Sequence, residues 1–198
     1  MKNKELDGIL AFMLRADELK EVDRTGWTIA KVDKHENVGD HSYSTALLSY
    51  LVADSVGLDA ERCAMMGLVH DINEILTTDI ATRYDKRLQT IAPNLKRKME
   101  RLNELKLIRA LGNSGKSQMR SLLDEYYKQQ TKEAKLVKQL DKLDYIIQIS
   151  HYSSKIKDNE RIEEFFKTAD RAINIPEVRY IYDKIRAKIF KERGIDLE

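Results

Sequence analysis

Residues 63–71 read Cys-Ala-Met-Met-Gly-Leu-Val-His-Asp, an apolar run that ends in an imidazole and a carboxylate. The run follows Asp59, a residue type that favours the N-cap position, so we predict a helix over about residues 60–73. A histidine and an aspartate are costly to bury without partners, so His70 and Asp71 need other groups beside them. Taken alone, such a histidine is more often a hydrogen-bonded core residue than a metal ligand.

Apolar residues recur at helical spacing on both sides of this run. The predicted helices cover about residues 6–22, 40–56, 60–73, 95–111, 117–129, 131–151, 159–172 and 176–192. Residues 23–39 have no sustained period and are expected to form a loop, and Gly-Asn-Ser-Gly at 112–115 is expected to form a turn. The chain is rich in good helix formers and contains only two prolines. We therefore expect an all-α protein, built as a helical bundle.

The first predicted helix carries an apolar stripe that is expected to face the core. Its members are Leu6, Ile9, Leu10, Met13 and Leu14. The helix at 95–111 carries a basic cluster, which we expect to face solvent. The alternative is that this cluster contacts nucleic acid, which the sequence supports less well. The cluster consists of Lys96, Arg97, Lys98, Arg101, Lys106 and Arg109.

Composition narrows the functional classes. The 35 basic and 33 acidic residues almost cancel, so the whole molecule has no strong field for nucleic acid or an anionic membrane. Cys63 is the only cysteine, which excludes a disulfide framework and a cysteine-based zinc site and favours a reducing cytoplasm. No segment approaches the roughly 18 consecutive apolar residues of a membrane span, and the first residues lack the apolar core of a signal peptide.

Residues suited to bind a metal lie on three predicted helices. His41 opens the helix at 40–56, His70-Asp71 ends the next helix, and Asp141 borders the apolar stripe of the helix at 131–151. Glu74 comes four residues after His70 and shares its face if the helix continues that far. These residues support either a metal site or a set of individually satisfied core groups, and their spacing alone leaves both alternatives open.

Five blocks of sequence between about residues 24 and 166 resemble the HD-domain phosphohydrolases, and more narrowly their 5′-deoxynucleotidase group. The blocks are Arg24-Thr25-Gly26-Trp27, Glu36-Asn37-Val38-Gly39-Asp40-His41-Ser42, Leu68-Val69-His70-Asp71-Ile72-Asn73-Glu74, Thr78-Asp79-Ile80, and Thr131 to Asp144 with the sequence TKEAKLVKQLDKLD. The resemblance implies a single HD domain over residues 1–198, with the metal-site core at about 24–151 and helices at 159–192 packed on it. It also implies a small-molecule nucleotide substrate and a homodimer.

Residue by residue, the resemblance implies a divalent ion bound by His41, His70, Asp71 and Asp141. Glu74 and Asp79 match the family's positions beside the attacking water, where they are expected to handle protons or to hold a second ion. Ligands without sulfur suit Mn, Co, Mg, Fe or Ni better than structural zinc. The expected reaction is removal of the 5′-phosphate from (deoxy)nucleoside 5′-monophosphates by attack of a metal-bound water.

The same metal site also serves other HD chemistries, so two alternatives remain. One is a phosphodiesterase, or a hydrolase of nucleoside triphosphates or guanosine polyphosphates. The other is a non-catalytic nucleotide- or RNA-binding module, although a mere binder has no need of Glu74 and Asp79.

The predicted loop provides candidates for binding the substrate. Arg24 and Lys31 flank Trp27, so the two cations are expected to contact phosphate and the indole to contact sugar or base. An equally supported alternative is that Trp27 fills the core beneath the loop. Gly26 stands where some relatives of the family have an arginine, which puts their sugar selectivity in doubt for this chain.

Overall fold

The computed structural model describes residues 2–81 and 84–196, and these residues form ten α-helices. The helices are α1 (Lys2–Ala16), α2 (Thr25–Ile29), α3 (Val38–Ser55), α4 (Ala60–Val69), α5 (Glu74–Thr77), α6 (Pro93–Leu107), α7 (Asn113–Lys128), α8 (Lys132–Tyr152), α9 (Asn159–Asp170) and α10 (Pro176–Arg193). Within the described ranges there is no β-strand, only an isolated bridge between Asp23 and Asn37. The prediction of an all-α fold is therefore confirmed.

Helices α3 and α4 form a hairpin that brings two histidines together. Gly57 ends the first helix with a φ of +72°, a conformation that glycine adopts without strain, and the Asp59 side chain accepts a hydrogen bond from the backbone N–H of Arg62 to cap the second. Gly67 lets the two helices approach closely, because a Cβ there would lie 3.0 Å from the Cα of Ala46.

Helix α8 lies against this hairpin and also contacts α7, α9 and α10. It begins at Thr131, whose hydroxyl accepts a hydrogen bond from the backbone N–H of Ala134, as expected for an N-cap. One face is buried from end to end, and the apolar side chains on it are Leu136, Val137, Leu140, Leu143, Ile146 and Ile149. These side chains join one buried apolar cluster that extends from Phe12 in α1 to Phe190 in α10.

Several local predictions were wrong. The expected loop at 23–39 contains α2, and α3 starts at Val38 because Asn37 and Asp40 form a reciprocal capping box. The expected turn at 112–115 is largely the first turn of α7, which begins at Asn113. Polar residues and glycine are tolerated there because the first backbone N–H groups of a helix have no partner within it. Helix α4 ends at Val69, so His70 and Glu74 are separated by a turn and do not share one continuous helix.

The largest correction concerns α1. Its apolar stripe is exposed, with Leu6 at 55% and Leu14 at 66% of full exposure, although it was expected to be buried. The helix packs through a different face, which carries Gly8 and Phe12. A Cβ at Gly8 would lie 2.2 Å from the carbonyl oxygen of Ala110, so only glycine permits this contact.

No helix in the described ranges is both long enough and apolar enough to cross a lipid bilayer.

Candidate metal centre

Two buried histidines stand at the centre of the site. His41 lies in the first turn of α3 and His70 directly follows α4, and both side chains are fully buried. Nδ1 of His41 lies 2.7 Å from Oδ2 of Asp144, and Nδ1 of His70 lies 2.7 Å from the carbonyl oxygen of Gly67. Because both partners are acceptors, each Nδ1 carries a proton, and in the neutral ring each Nε2 offers its lone pair to a metal ion.

Two carboxylates face these lone pairs. Oδ2 of Asp71 lies 3.1 Å from Nε2 of His70 and 3.7 Å from Nε2 of His41. Oδ1 of Asp141 lies 3.4 Å from Nε2 of His41 and 4.0 Å from Nε2 of His70. The structure thus brings together all four residues that the sequence suggested as ligands, although they come from three separate segments of the chain.

A divalent cation fits this arrangement. Neither Nε2 atom has a hydrogen-bond partner among the described residues, although both are buried. Burial and the positive charge of Arg24 oppose a charge on His41, but the carboxylates of Asp141 and Asp144 outweigh both and raise its pKa to about 9. The carboxylates therefore favour a positive charge at this point, and a metal ion bound by two imidazoles and two carboxylates would provide it.

Asp141 is held so that only one of its oxygens faces the histidines. Its other oxygen, Oδ2, accepts a hydrogen bond from the Tyr126 hydroxyl at 3.2 Å and lies 3.2 Å from the Nζ atoms of both Lys138 and Lys142. The Tyr126 ring also makes an edge contact with the His70 ring at a centroid distance of 5.4 Å. Burial raises the pKa of Asp141, but the two ammonium groups hold it well below its usual value.

Glu74 opens α5 beside the four ligands. Its side chain is buried, and its Oε2 has no hydrogen-bond partner among the described residues. Burial, followed by repulsion from Asp71 and Asp79, raises the pKa of Glu74 well above its usual value. A raised pKa favours the protonated carboxyl group and makes it a stronger base once ionised, which suits proton transfer.

Arg24 and Asp79 form a second layer of charge. Nη1 of Arg24 lies 3.7 Å from Oδ2 of Asp71 and 3.5 Å from Oδ2 of Asp79. Asp79 also accepts a hydrogen bond from the backbone N–H of Thr25 at 3.0 Å. Asp79 therefore fixes the start of α2 and orients the guanidinium group beside it.

A cavity of about 410 Å³ opens in front of these groups. Its basic lining residues are Arg24, Lys96, Arg97, Lys138 and Lys142, and its apolar ones include Ile29, Ile80, Ala81, Ile91 and Phe165. Nζ of Lys96 donates a hydrogen bond to the carbonyl oxygen of Ile80 at 2.7 Å. The cavity thus has a charged end at the histidines and an apolar wall away from them, and its volume suits a small molecule.

The three predicted substrate residues lie in three different environments. Arg24 lines the cavity. Trp27 is fully buried, packs on Tyr145 with a centroid distance of 4.4 Å, and donates a hydrogen bond from Nε1 to Glu36 at 2.9 Å. It fills the core, as the second of the two alternatives predicted, and its contact with the substrate stays a prediction. Lys31 is exposed and lies outside the cavity lining, which removes the reason for assigning it to phosphate.

Sequence reasoning missed several residues of the site. Asp144 could have been found, because it lies one helical turn after Asp141 within the same stretch of sequence, residues 131–144. Lys96 was assigned to a solvated face, yet it lines the cavity. Tyr126 gave no signal, because an aromatic residue in an amphipathic helix suggests core packing and not contact with a ligand.

Comparison with known proteins agrees with this geometry. The model of the HD domain family matches residues 16–179. The 5′-deoxynucleotidase HDDC2 of Xenopus laevis is 34% identical over 186 residues, which cover 94% of this chain and 88% of the relative, and that of Homo sapiens is 30% identical over 180 residues, covering 91% and 85%. A solved structure of a conserved hypothetical protein from Pyrococcus furiosus is 28% identical, with a TM-score of 0.71 and coverage of 90% of this chain and 99% of that one.

Proposed function

The chain belongs to the HD-domain family, and from this premise we propose that it is a metal-dependent phosphohydrolase that removes the 5′-phosphate from (deoxy)nucleoside 5′-monophosphates. One observation supports the proposal above all others. Two buried imidazoles and two carboxylates converge at the charged end of a cavity that also contains the buried Glu74, whose Oε2 has no hydrogen-bond partner among the described residues.

His41, His70, Asp71 and Asp141 would hold the divalent ion. When bound, such an ion supplies positive charge that lowers the pKa of water and polarises a phosphoryl group. The oxygen and nitrogen ligands suit Mn, Co, Mg, Fe or Ni. We favour one ion over two, because the Arg24 guanidinium already lies between Asp71 and Asp79, where a second cation would be needed.

Glu74 would handle the proton. Its unpartnered Oε2 can accept the proton of the attacking water, and its raised pKa suits the later transfer of that proton to the 5′ oxygen of the leaving nucleoside. Asp79 is engaged with Thr25 and Arg24, so we assign it the positioning of the arginine and not proton transfer. Arg24 would then face the phosphate with a fixed guanidinium group.

A substrate screen tests the reaction. Phosphate release is measured from dAMP, AMP, dATP and cyclic AMP after loading the protein with each of the five ions. We expect release from dAMP and AMP. Hydrolysis of dATP or cyclic AMP without hydrolysis of the monophosphates would indicate another HD chemistry. Binding of nucleotide without any turnover would indicate a non-catalytic binding module.

We also propose that the protein is a homodimer joined through the outer face of the α3–α4 hairpin. This face exposes large apolar side chains on two helices that pack together, namely Tyr43, Leu47, Tyr50, Leu51, Met65 and Leu68. A contiguous set of exposed large apolar side chains is typical of a protein–protein interface.

The oligomeric state tests the dimer. Light scattering should give twice the chain mass for the wild type and a monomer for Leu47→Glu, because a carboxylate would be buried in the interface. Leu10→Glu places the same change on the exposed stripe of α1 and should leave the dimer intact. A monomeric wild type, or dissociation by Leu10→Glu alone, would contradict the assignment.

We propose the cytoplasm as the compartment. Cys63 is the only cysteine of the chain, its side chain is buried, and burial raises the pKa of its thiol to about 12. A thiol in this state neither forms a disulfide nor binds a metal, so the fold needs no oxidising environment. Cell fractionation would test the assignment.

A further inference from the structure

Two lysines share one carboxylate at the wall of the cavity. Lys138 precedes Asp141 by three residues on α8 and Lys142 follows it directly, so both ammonium groups reach the same side of the helix. Each Nζ lies 3.2 Å from Oδ2 of Asp141. Within the described ranges, the ion pairs of both lysines are made with this one residue, so two positive charges face a single negative one.

Two other cations that line the cavity, Arg24 and Lys96, have carboxylates of their own. Arg24 lies beside Asp71 and Asp79, and Lys96 lies 3.6 Å from Glu100. Beside the metal ligand Asp141, positive charge is therefore in surplus at Lys138 and Lys142. Their side chains are 46% and 33% exposed and line the cavity, so a ligand can reach both of them.

The two oxygens of Asp141 connect this pair to the metal centre. Oδ1 faces the Nε2 atoms of both histidines, and Oδ2 faces the lysines. An anion in front of Asp141 would thus lie within reach of the metal ligands on one side and of two ammonium groups on the other. A divalent ion beside Asp141 would weaken the attraction between its carboxylate and the two lysines. The ammonium groups would then bind another anion more readily.

We propose that Lys138 and Lys142 bind the phosphate group together with Arg24, exchanging part of their contact with Asp141 for the oxygens of the substrate. A phosphate monoester carries up to two negative charges and offers several acceptor oxygens, and lysine binds such groups as a point charge. This inference rests on the proposed function and adds to it two residues that recognise the phosphate group of the substrate.

The test measures binding of inorganic phosphate to the Mn²⁺-loaded protein by titration calorimetry. Lys138→Met and Lys142→Met should each raise the dissociation constant by about tenfold or more, since a charged hydrogen bond is lost. Lys142→Arg keeps the charge and should stay within about threefold of the wild type. Lys135→Met, an exposed lysine on the same helix, is the matched control and should change nothing.

A separate titration with Mn²⁺ excludes a merely structural role. The methionine variants should bind the ion within about threefold of the wild type, because the histidines and Asp141 remain. Phosphate binding that is unchanged in both variants, or absent in the wild type, would overturn the inference. A loss of Mn²⁺ affinity as large as the loss of phosphate affinity would also overturn it, because the lysines would then only position Asp141.

This inference and the proposed function can fail independently, because phosphate binding needs no turnover. A wild type that hydrolyses no nucleotide but binds phosphate through these lysines would contradict the function alone. A wild type that hydrolyses dAMP, together with methionine variants that bind phosphate as tightly as the wild type, would contradict the inference alone.

Discussion

At the residue scale, three of the four ligands are oriented by a contact on the side opposite the metal centre. His41 is fixed by Asp144, His70 by the Gly67 carbonyl oxygen, and Asp141 by Tyr126. Each contact uses the atom that points away from the centre, so the opposite atom is directed inward. The site is organised before any ion binds, which reduces the reorganisation that binding requires.

Glu74 gives the first prediction at this scale. Glu74→Gln keeps the shape of the side chain but cannot accept a proton, so turnover of dAMP should fall by about 10²-fold or more. Affinity for Mn²⁺ should change little, because all four ligands remain. The measurements are steady-state kinetics and ion titration.

Glu104→Gln is the control for Glu74→Gln, because Glu104 is equally buried but lies outside the cavity lining. It should retain activity. Wild-type turnover in Glu74→Gln would show that proton transfer uses another group, and equal losses in both variants would point to a general effect of changing a buried carboxyl group.

Asp144 gives the second prediction. In Asp144→Asn the charged hydrogen bond to Nδ1 of His41 is replaced by a neutral one, which weakens the orientation and basicity of the imidazole. The dissociation constant for Mn²⁺ should rise by about 10- to 100-fold. Titration calorimetry measures this change, and Asp170→Asn, at an exposed carboxylate of α9, is the control. Unchanged affinity would mean that Asp144 has no part in ion binding.

At the element scale, the hairpin of α3 and α4 sets the distance between the two histidines. Gly67→Ala would place a Cβ 3.0 to 3.1 Å from backbone atoms of Thr45 and Ala46, so the helices must separate slightly. We expect a loss of about 1–3 kcal/mol in the free energy of unfolding, as for other overpacked cores, together with weaker binding of Mn²⁺. Chemical denaturation and ion titration measure the two effects.

Gly115→Ala is the matched control for this substitution. A Cβ at that glycine would meet only Leu111, at an ordinary distance of 3.8 Å, and the position lies in the first turn of α7. Alanine there should be neutral or slightly stabilising. If Gly67→Ala behaved like this control, the close approach of α3 and α4 would not be needed to form the site.

The elements also show what could be predicted from the sequence and why the rest could not. Helical periodicity located the long helices, and the five stretches of sequence that resemble the HD-domain family suggested the four ligands that the structure brings together. Periodicity identifies the residues that share a face but not whether another element covers that face. The stripe of Leu6 and Leu14 was therefore expected to be buried, whereas Gly8 and Phe12 make the contact.

Contacts between distant segments were the other limit. The sequence left two alternatives for Trp27, contact with the substrate or a place in the core, and only the structure shows that its ring packs on residues of α8 and α9. Lys96 was expected in solvent because neighbouring cations share its helix, but its side chain turns into the cavity. Such placements depend on packing between segments far apart in the chain, which local spacing does not contain.

At the scale of the whole molecule, the metal centre and the core are expected to unfold together. One apolar cluster runs from Phe12 to Phe190, and the ligands lie on α3, on α8 and just after α4, which pack against one another within it. We therefore propose that residues 1–198 form a single domain. Calorimetry should show one transition, and two separate transitions would contradict this organisation.

An ion bound only by the folded state must stabilise this domain. Mn²⁺ at about 100 times its dissociation constant should add roughly 2.7 kcal/mol to the free energy of unfolding, which corresponds to about 5–10 °C in Tm for a chain of this length. Chelation should reverse the shift. In His70→Asn, which removes a ligand, the shift should be much smaller. An ion-induced shift of equal size in that variant would place the ion elsewhere, because the four ligands identified at α3, α4 and α8 would then not be the ones that bind it.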